Sequence, residues 1–310
     1  TPSYHVVSQG GDCMKEMVGL ETVRAVLPAE LAAGLDGLSG AEREEVEELR
    51  LRRGFPLSAV LTAGERDLGG PPVTEGHLRT LLENVSQASA HTVLDRTRSG
   101  YVTLRGGHRL GLCGTVSRRD GEIAALRYLS SAAIRVARPV EGQADGLLPA
   151  LTEDGAFQST LILGPPGAGK TTLLRDLIRA LSDTLDLRVG LADERGEVAA
   201  LWQGEPQLYV GRRTDVVDGC SKAEGLTMLL RGMGPQVLAA DEITDPADAA
   251  AMLDAVGCGV ALLATAHGGS GEDIFRRPVY RALAEAGAFR RAVILRKTAA
   301  GRRCSVEVLG

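Results

Sequence analysis

The first half of the chain mixes helical and strand-like patterns. Leucines recur at helical spacing behind Thr74, which predicts a helix with Thr74 as its N-cap. Short apolar runs separated by glycine-containing turns follow, and they predict strands. The strand candidates cover residues 101–105, 109–116, 123–126 and 132–137. We therefore expect a small α+β domain with an antiparallel sheet over residues 19–150. Residues 1–18 have no sustained periodicity and are expected to form a flexible tail.

In the second half, apolar runs of four to six residues alternate with helical stretches. The runs cover residues 160–163, 187–192, 237–240 and 260–265. Continuous apolar runs of this length are typical of strands that are buried on both faces of a parallel sheet. The pattern predicts an α/β domain with a mostly parallel sheet over residues 151–310.

A glycine-rich segment follows the first of these strand candidates and leads into a helical pattern. It matches G-x-x-x-x-G-K-[ST] in full, and its residues are Gly164, Pro165, Pro166, Gly167, Ala168, Gly169, Lys170, Thr171 and Thr172. Backbone N–H groups of such a loop and the N-terminus of the following helix attract phosphate. We expect the loop to bind ATP, with Lys170 at the β- and γ-phosphates and the Thr171 hydroxyl on Mg²⁺. The alternative is a strand–helix turn without a ligand.

Two adjacent acids end another strand candidate. Asp241 and Glu242 directly follow the apolar run 237–240. A carboxylate at the end of a buried neighbouring strand is the second partner that Mg²⁺ needs in P-loop enzymes. We expect Asp241 to hold the metal and Glu242 to polarise the attacking water. The alternative is that both acids cap the next helix, near Pro246, although uncompensated carboxylates are costly to desolvate there.

Further polar residues follow the remaining strand candidates. Glu194 lies in the acidic segment 193–197 behind one run, and His267 follows another. The carboxyl ends of parallel strands meet at one edge, where ligands bind. Glu194 could share the activation of water with Glu242, and His267 could sense the γ-phosphate by hydrogen bonding. A solvated charged turn and a capping or packing histidine are the alternatives.

Composition narrows the function classes. The net charge is −5 and aromatic residues make up 3% of the chain, which disfavours a surface for nucleic acid. The five cysteines are dispersed, as is usual for reduced thiols in a cytosolic protein. No apolar stretch approaches the roughly 20 residues that span a bilayer. We therefore expect a cytoplasmic protein that reaches any membrane through a partner.

The order of the motifs resembles a known family. The segments DERGE, GRRTDVVDGC, KAEGL, LLRGMGPQVLAADEI and LLATAHG follow the P-loop, and GYVTLRGGHRLGLCGTV and LSSAAIRVARPV precede it. Together they resemble the stage III sporulation protein AA family, which is similar to the ATPases of type II and type IV secretion. The resemblance spans residues 20–310. It implies a RecA-like P-loop ATPase domain behind a smaller N-terminal domain.

The resemblance also implies a role and partners. It implies an Mg²⁺-dependent ATP hydrolase on the mother-cell side of the forespore membranes. There it would form a homo-oligomeric ring, most simply a hexamer, at the base of a channel of membrane-embedded proteins. The alternative from another class is a nucleic-acid-associated ATPase, since related chains carry an appended single-strand-binding module. A small-molecule kinase is disfavoured because no arginine-rich lid is evident.

Carried over by motif, the resemblance assigns Asp193 and Glu194 to an acidic box and His267 to a histidine box. It also makes Arg135, with Arg109, a candidate clamp for the nucleotide. The resemblance also places the Walker B strand at residues 237–240 and its acids at Asp241 and Glu242. One departure stands out. Secretion ATPases have an arginine two residues after the glutamate of this strand, where this chain has Thr244. The other arginines that could take over its task are Arg105, Arg138, Arg212, Arg213 and Arg231.

Overall fold

The computed structural model describes residues 19–85, 101–119, 122–138, 142–270, 274–298 and 301–309, and the expected tail at 1–18 lies outside these ranges. The chain divides into two compact units. The first comprises Thr1–Pro139 and Leu201–Gln207, and the second comprises Val140–Ala200 and Leu208–Gly310. In the described ranges, no helix combines the length and the apolar character that crossing a bilayer requires.

The first unit contains a six-stranded sheet in the order β3-β2-β1-β6-β5-β4, and every neighbouring pair is antiparallel. Its strands are β1 (Glu48–Arg52), β2 (Ser58–Leu61), β3 (Gly64–Asp67), β4 (Tyr101–Thr103), β5 (Arg109–Arg119) and β6 (Glu122–Arg135). The two strands that the pattern predicts at 123–126 and 132–137 are one long strand, β6. Register shifts between Cys113 and Thr115 and between Ser117 and Arg118 interrupt the pairing of β5 with β6, as bulges do in antiparallel pairs, and the hairpin continues beyond them.

The helices of the first unit, except Gly40–Glu45, which has no buried residue, contribute buried leucines to the same core as this sheet. They are α1 (Leu20–Val26), α2 (Ala29–Ala32), a 3₁₀ turn (Ala33–Gly37), α3 (Gly40–Glu45) and α4 (Glu75–Val85). Helix α4 is the helix predicted behind Thr74, whose Oγ1 accepts the hydrogen bond from the backbone N of His77 at 3.1 Å. Leu78 and Leu81 of α4 are fully buried in the core of this unit. The N-cap thus fixes which helical face meets the sheet.

The second unit is built on a seven-stranded sheet in the order β13-β10-β14-β15-β9-β16-β17. All pairs are parallel except the hairpin β16–β17. The strands of this sheet are β9 (Thr160–Leu163), β10 (Val189–Ala192), β13 (Thr214–Val217), β14 (Val237–Ala240), β15 (Ala261–Ala266), β16 (Arg291–Thr298) and β17 (Gly301–Val308). Two-residue strands form two small hairpins. In the second unit, β7 (Thr152–Glu153) pairs with β8 (Ala156–Phe157). The pair β11 (Leu201–Trp202) and β12 (Glu205–Pro206) belongs to the first unit.

Helices bury both faces of the parallel sheet, which explains the continuous apolar runs. They are α5 (Leu148–Leu151), α6 (Lys170–Asp183), α7 (Lys222–Gly232), α8 (Pro246–Gly257) and α9 (Pro278–Glu285). Helix α6 packs in one apolar core, and α7, α8 and α9 pack in a second. The four central strands β9, β10, β14 and β15 run in the same direction. Their carboxyl ends therefore lie at one edge, and the segments that follow them build the candidate site.

Candidate nucleotide-binding site

The glycine-rich loop lies between β9 and α6, as its sequence predicts. Gly167 and Gly169 have positive φ angles of 70° and 92°, a conformation that strains other L-residues. Gly169 is the N-cap of α6, which begins at Lys170. The first turn of α6 contains no acidic residue of its own, so the helix itself adds no carboxylate to the positive end of its dipole.

The Lys170 side chain is buried and folded back onto its own loop. Its Nζ donates to the carbonyl oxygens of Gly164 and Pro165, both at 3.1 Å, and lies 3.0 Å from Nδ1 of His267. Burial lowers the pKa of Lys170, while the charges of Asp241 and Glu242 oppose that shift. The ammonium group is thus held by neutral acceptors, which an incoming anion can replace.

A threonine and an aspartate supply adjacent oxygens beside the loop. The Thr171 hydroxyl donates to Oδ2 of Asp241 at 2.7 Å, and the Thr265 hydroxyl donates to Oδ1 of the same carboxylate at 2.5 Å. Thr265 is fully buried on β15. Hard oxygen donors from one carboxylate and one hydroxyl match how Mg²⁺ is held in nucleotide sites, where phosphates and water complete the shell. These residues therefore fit the metal that the sequence predicts.

Glu242 has a strained backbone and two charged neighbours. Its φ of 45° is unusual for a residue with a side chain, and its backbone N donates to the Thr265 hydroxyl at 2.8 Å. Its Oε1 lies 2.9 Å from Nε2 of His267, and its Oε2 lies 3.2 Å from a guanidinium nitrogen of Arg195. Since Lys170 can only donate, His267 accepts at Nδ1 and carries its hydrogen on Nε2. Lys170, His267, Glu242 and Arg195 thus form one connected chain.

Asp193 organises the segment that follows β10. Its carboxylate is 2% exposed and accepts from the backbone N of Glu197, Val198, Ala199 and Ala200. Burial raises the pKa of Asp193, whereas these hydrogen bonds lower it. Arg175 of α6 donates to the carbonyl oxygens of the same segment, at Val198 and Glu197. Both contacts are internal to the second unit and fix the path of the chain on either side of Glu194 and Arg195.

Glu194 is engaged by a lysine rather than by the phosphate loop. The Lys222 Nζ at the start of α7 lies 2.6 Å from Oε2 of Glu194 and 3.7 Å from Oδ2 of Asp248 in α8. The Lys222 side chain is only 6% exposed. The two carboxylates compensate its buried charge, so this triad ties three segments together. A small cleft nearby is lined by the acidic segment and by both Walker B acids.

The structure thus brings six predicted site residues to one sheet edge: Lys170, Thr171, Glu194, Asp241, Glu242 and His267. Asp245 caps α8, so the alternative that Asp241 and Glu242 cap this helix is wrong, and their roles toward the metal and the water stay predictions. Arg135 belongs to the first unit. It lies on β6 opposite Arg109 on β5 and Glu48 on β1, and Arg109 stacks on the ring of Tyr101 at 3.7 Å.

Four residues of the site escaped the sequence patterns: Arg175, Arg195, Lys222 and Thr265. Arg195 lies inside the acidic segment 193–197, whose pattern draws attention to its carboxylates and gives no signal for an arginine. Lys222 is the first residue of a helix with a capping box at Ser221. A capping box predicts where a helix begins, but it does not predict a functional side chain. Among the arginines considered at the sequence level, Arg212 and Arg213 pair with Asp183 and Asp186 of their own unit, and Arg138 donates to the Val46 carbonyl.

Comparison with known proteins places these motifs in a family. A model of the family "Sporulation stage III, protein AA" matches residues 21–306. The stage III sporulation protein AA of Bacillus subtilis is 39% identical over 277 residues, which cover 88% of this chain and 89% of that protein. An uncharacterised protein of Porphyra purpurea, ycf45, is 32% identical over 182 residues, which cover 56% of this chain and 30% of that protein.

Solved structures share the fold. The Legionella pneumophila ATPase DotB has a TM-score of 0.59 and 17% identity, covering 90% of this chain and 80% of its own. The pilus retraction motor PilT, solved with bound ADP, has a TM-score of 0.59 and 19% identity, covering 85% of this chain and 79% of its own. The predicted α/β fold with a mostly parallel sheet behind a smaller N-terminal part is thereby confirmed.

Proposed function

The chain belongs to the stage III sporulation protein AA family, and on this premise we propose that it is an Mg²⁺-dependent ATP hydrolase that works as a motor in sporulation. The observation that carries the proposal is the assembly of a P-loop lysine, a threonine–aspartate oxygen pair and a strained glutamate at one sheet edge. The fold shared with the ATPase DotB and the motor PilT supports the same class of activity.

The loop residues bind the phosphates. Gly164 to Thr172 supply the cradle, and Lys170 exchanges its hydrogen bonds to the Gly164 and Pro165 carbonyls for bonds to the β- and γ-phosphate oxygens. This exchange costs little, because a neutral carbonyl is a weaker acceptor for an ammonium than a charged oxygen. Arg135 is the candidate for a further contact with the nucleotide, as the family resemblance implies.

Thr171 and Asp241 would hold Mg²⁺, which when bound neutralises charge on the phosphates. The protein residues prepare this position themselves. Thr265 fixes Asp241 by one hydrogen bond and the backbone of Glu242 by another. The same hydroxyl thus sets the relative position of the two acids. We expect a change at Thr265 to disturb both the metal and the water positions.

Glu242 orients the attacking water and accepts its proton. Its side chain is 25% exposed, so water reaches it. His267 contacts Lys170 through Nδ1 and Glu242 through Nε2. A movement of Lys170 toward the γ-phosphate can therefore change the position of the Glu242 carboxylate through His267. Glu194, the second candidate for this role, is paired with Lys222 and serves better as an anchor for its segment.

Nucleotide titrations with matched variants test this function. Lys170→Ala should lose ATP and ADP binding together with turnover, because the cradle loses its only buried cation in contact with the loop among the described residues. Asp241→Asn should keep nucleotide binding and lose the dependence of turnover on Mg²⁺. Arg281→Ala, an exposed change in α9 of the same unit, is the control. Wild-type phosphate release in Lys170→Ala would contradict the proposed site.

Motor action requires a partner assembly. We propose that the chain forms a homo-oligomeric ring, most simply a hexamer, and acts on membrane-embedded channel proteins from the mother-cell side. Family membership and the likeness to a pilus retraction motor support this assignment. Adding single-stranded DNA to the turnover assay separates the alternative, because a nucleic-acid-associated ATPase would be stimulated in a strongly salt-dependent way.

A further inference from the structure

The most informative contact outside the expected set is the one between Arg195 and Glu242. Arg195 follows β10 and Glu242 follows β14, and their side chains meet at 3.2 Å. The Walker B strand itself continues with Ile243 and Thr244 and so carries no arginine near its glutamate. Arg195 therefore places a guanidinium beside the water-orienting residue from another segment of the same unit.

The residues before Arg195 hold it in this position. Asp193 accepts backbone hydrogen bonds from the chain just beyond, and Glu194 is fixed by Lys222, whose side chain is almost fully buried. Arg195 itself is different, because its side chain is 55% exposed. The backbone at this point is thus anchored on both sides, while the guanidinium is held by an exposed ion pair, which is weak and easily exchanged.

Resting on the proposed function, we propose that Arg195 is the catalytic arginine of this ATPase and that it acts in cis. The Glu242 carboxylate is an anion next to Arg195 and is linked through His267 to Lys170. A γ-phosphate carries more negative charge than one carboxylate. Two of its oxygens can accept bidentate hydrogen bonds from the planar guanidinium. Arg195 moves from Glu242 to the γ-phosphate when ATP binds.

This exchange has two consequences for hydrolysis. It releases Glu242, so that its carboxylate is available to the attacking water. The water oxygen then bonds to the γ-phosphorus while the bond from that phosphorus to the bridging oxygen of ADP breaks, and the water proton passes to Glu242. Arg195 transfers no proton and stabilises the charge that spreads over the γ-phosphate oxygens. An arginine in this role raises the rate by roughly 10³-fold or more.

Binding measurements in a non-hydrolysing background test the contact itself. Glu242→Gln would be compared with Glu242→Gln/Arg195→Ala by titration with ATP and with ADP. We expect the second change to weaken ATP binding by about tenfold or more, as loss of a charge-assisted hydrogen bond does, and to leave ADP binding within about twofold. Equal losses for ATP and ADP, or no loss for ATP, would overturn the assignment.

Turnover measurements then separate cis from trans action. Arg195→Ala should reduce kcat by roughly 10³-fold. Arg195→Lys should have an intermediate kcat, because lysine keeps the positive charge and cannot make the bidentate hydrogen bonds of a guanidinium. Arg281→Ala is the matched control. Mixing Lys170→Ala subunits with Arg195→Ala subunits should restore no activity, since each site then lacks one of its own residues. Restored activity would show that Arg195 serves a neighbouring subunit and would overturn the inference.

The wild-type chain distinguishes the failure of this inference from the failure of the proposed function. If the wild-type chain neither binds ATP nor releases phosphate, the proposed function and the role of Arg195 are both wrong. If it hydrolyses ATP and Arg195→Ala does so at the same rate, only the role of Arg195 falls.

Discussion

Two glutamates near the phosphate loop have different partners, and their partners determine what each can do. Glu242 has a strained backbone and contacts Arg195 and His267, and His267 in turn contacts Lys170 of the glycine-rich loop. Glu194 is held at 2.6 Å by a buried lysine that also lies near Asp248. A carboxylate that compensates a buried ammonium is poorly placed to take a proton from water, because leaving the ammonium unpaired is costly.

The single-residue prediction follows from this difference. Glu242→Gln should bind ATP normally and hydrolyse it slower by orders of magnitude, since it removes a transition-state interaction and leaves the cradle intact. Glu194→Gln should retain most of the chemical rate and lose stability instead, because the buried Lys222 then has a neutral amide in place of its nearer carboxylate and keeps only Asp248, at 3.7 Å, to compensate its charge. Single-turnover phosphate release and urea unfolding measure the two effects. Near-normal turnover in Glu242→Gln with an inactive Glu194→Gln would transfer the catalytic role to Glu194.

At the scale of elements, one histidine links three segments of the first unit. His108 precedes β5 and is fully buried. Its Nδ1 accepts from the backbone N of Ala137 at 3.0 Å, just after β6, and its Nε2 lies 2.5 Å from the Thr22 hydroxyl in α1. That hydroxyl donates to the Gly19 carbonyl, so Nε2 carries the hydrogen. Burial lowers the pKa of His108 to about 4, and a proton added at Nδ1 would face a backbone N–H.

This linkage makes the first unit sensitive to acid. The unfolded chain binds a proton at His108 near pH 6.5, whereas the folded one resists it until about pH 4. The stabilisation is therefore complete above pH 6.5 and is lost as pH falls, by about 2 kcal/mol at pH 5. Native-state hydrogen exchange of the β5–β6 hairpin at pH 7.5 and pH 5, corrected for intrinsic rates, measures it. In His108→Asn, the protection of this hairpin against exchange should differ much less between the two pH values. An unchanged difference in that variant would contradict the assignment.

For the whole molecule, the arginines that could serve the nucleotide site of a neighbouring subunit are the relevant feature. Arg212 and Arg213 pair with Asp183 and Asp186 in their own unit, so these two arginines have local partners. Arg135 and Arg109 of the first unit are the candidates, by family resemblance, for contacts with nucleotide. A head-to-tail ring brings such residues to another subunit's site, and its rotation has to close if filaments are to be avoided.

The assembly prediction follows. Specific activity should rise with protein concentration, and a non-hydrolysable ATP analogue should convert the protein into a closed oligomer, most simply a hexamer. Mass measurement in solution with and without the analogue gives the size. Mixing Lys170→Ala subunits with Arg135→Ala subunits should restore part of the activity if Arg135 serves its neighbour. A monomer in saturating analogue, with activity independent of concentration, would rule out the ring for the isolated protein.

Features that depend on neighbours along the chain could be predicted from the residues alone. The phosphate loop is one contiguous segment, and its glycines, its lysine and the following helix dictate its conformation locally. The buried strands β9, β14 and β15 were predictable to within a residue at each end, because a strand covered on both faces must be apolar throughout. The order of these motifs was enough to indicate the family.

Contacts between side chains on different strands became visible only in the folded chain. Thr265 on β15 reaches Asp241, which follows β14. Lys222 and Glu194 follow β13 and β10, and Arg195 and Glu242 follow β10 and β14. These side chains meet because the strands of each pair are adjacent and parallel. No spacing along the chain encodes these pairs, and each residue type is common in turns and at helix starts. The sheet order β10-β14-β15-β9 sets the distances. Charges that look alike in the sequence, such as Glu194 and Glu242, therefore acquire different chemistry from the partners that the fold gives them.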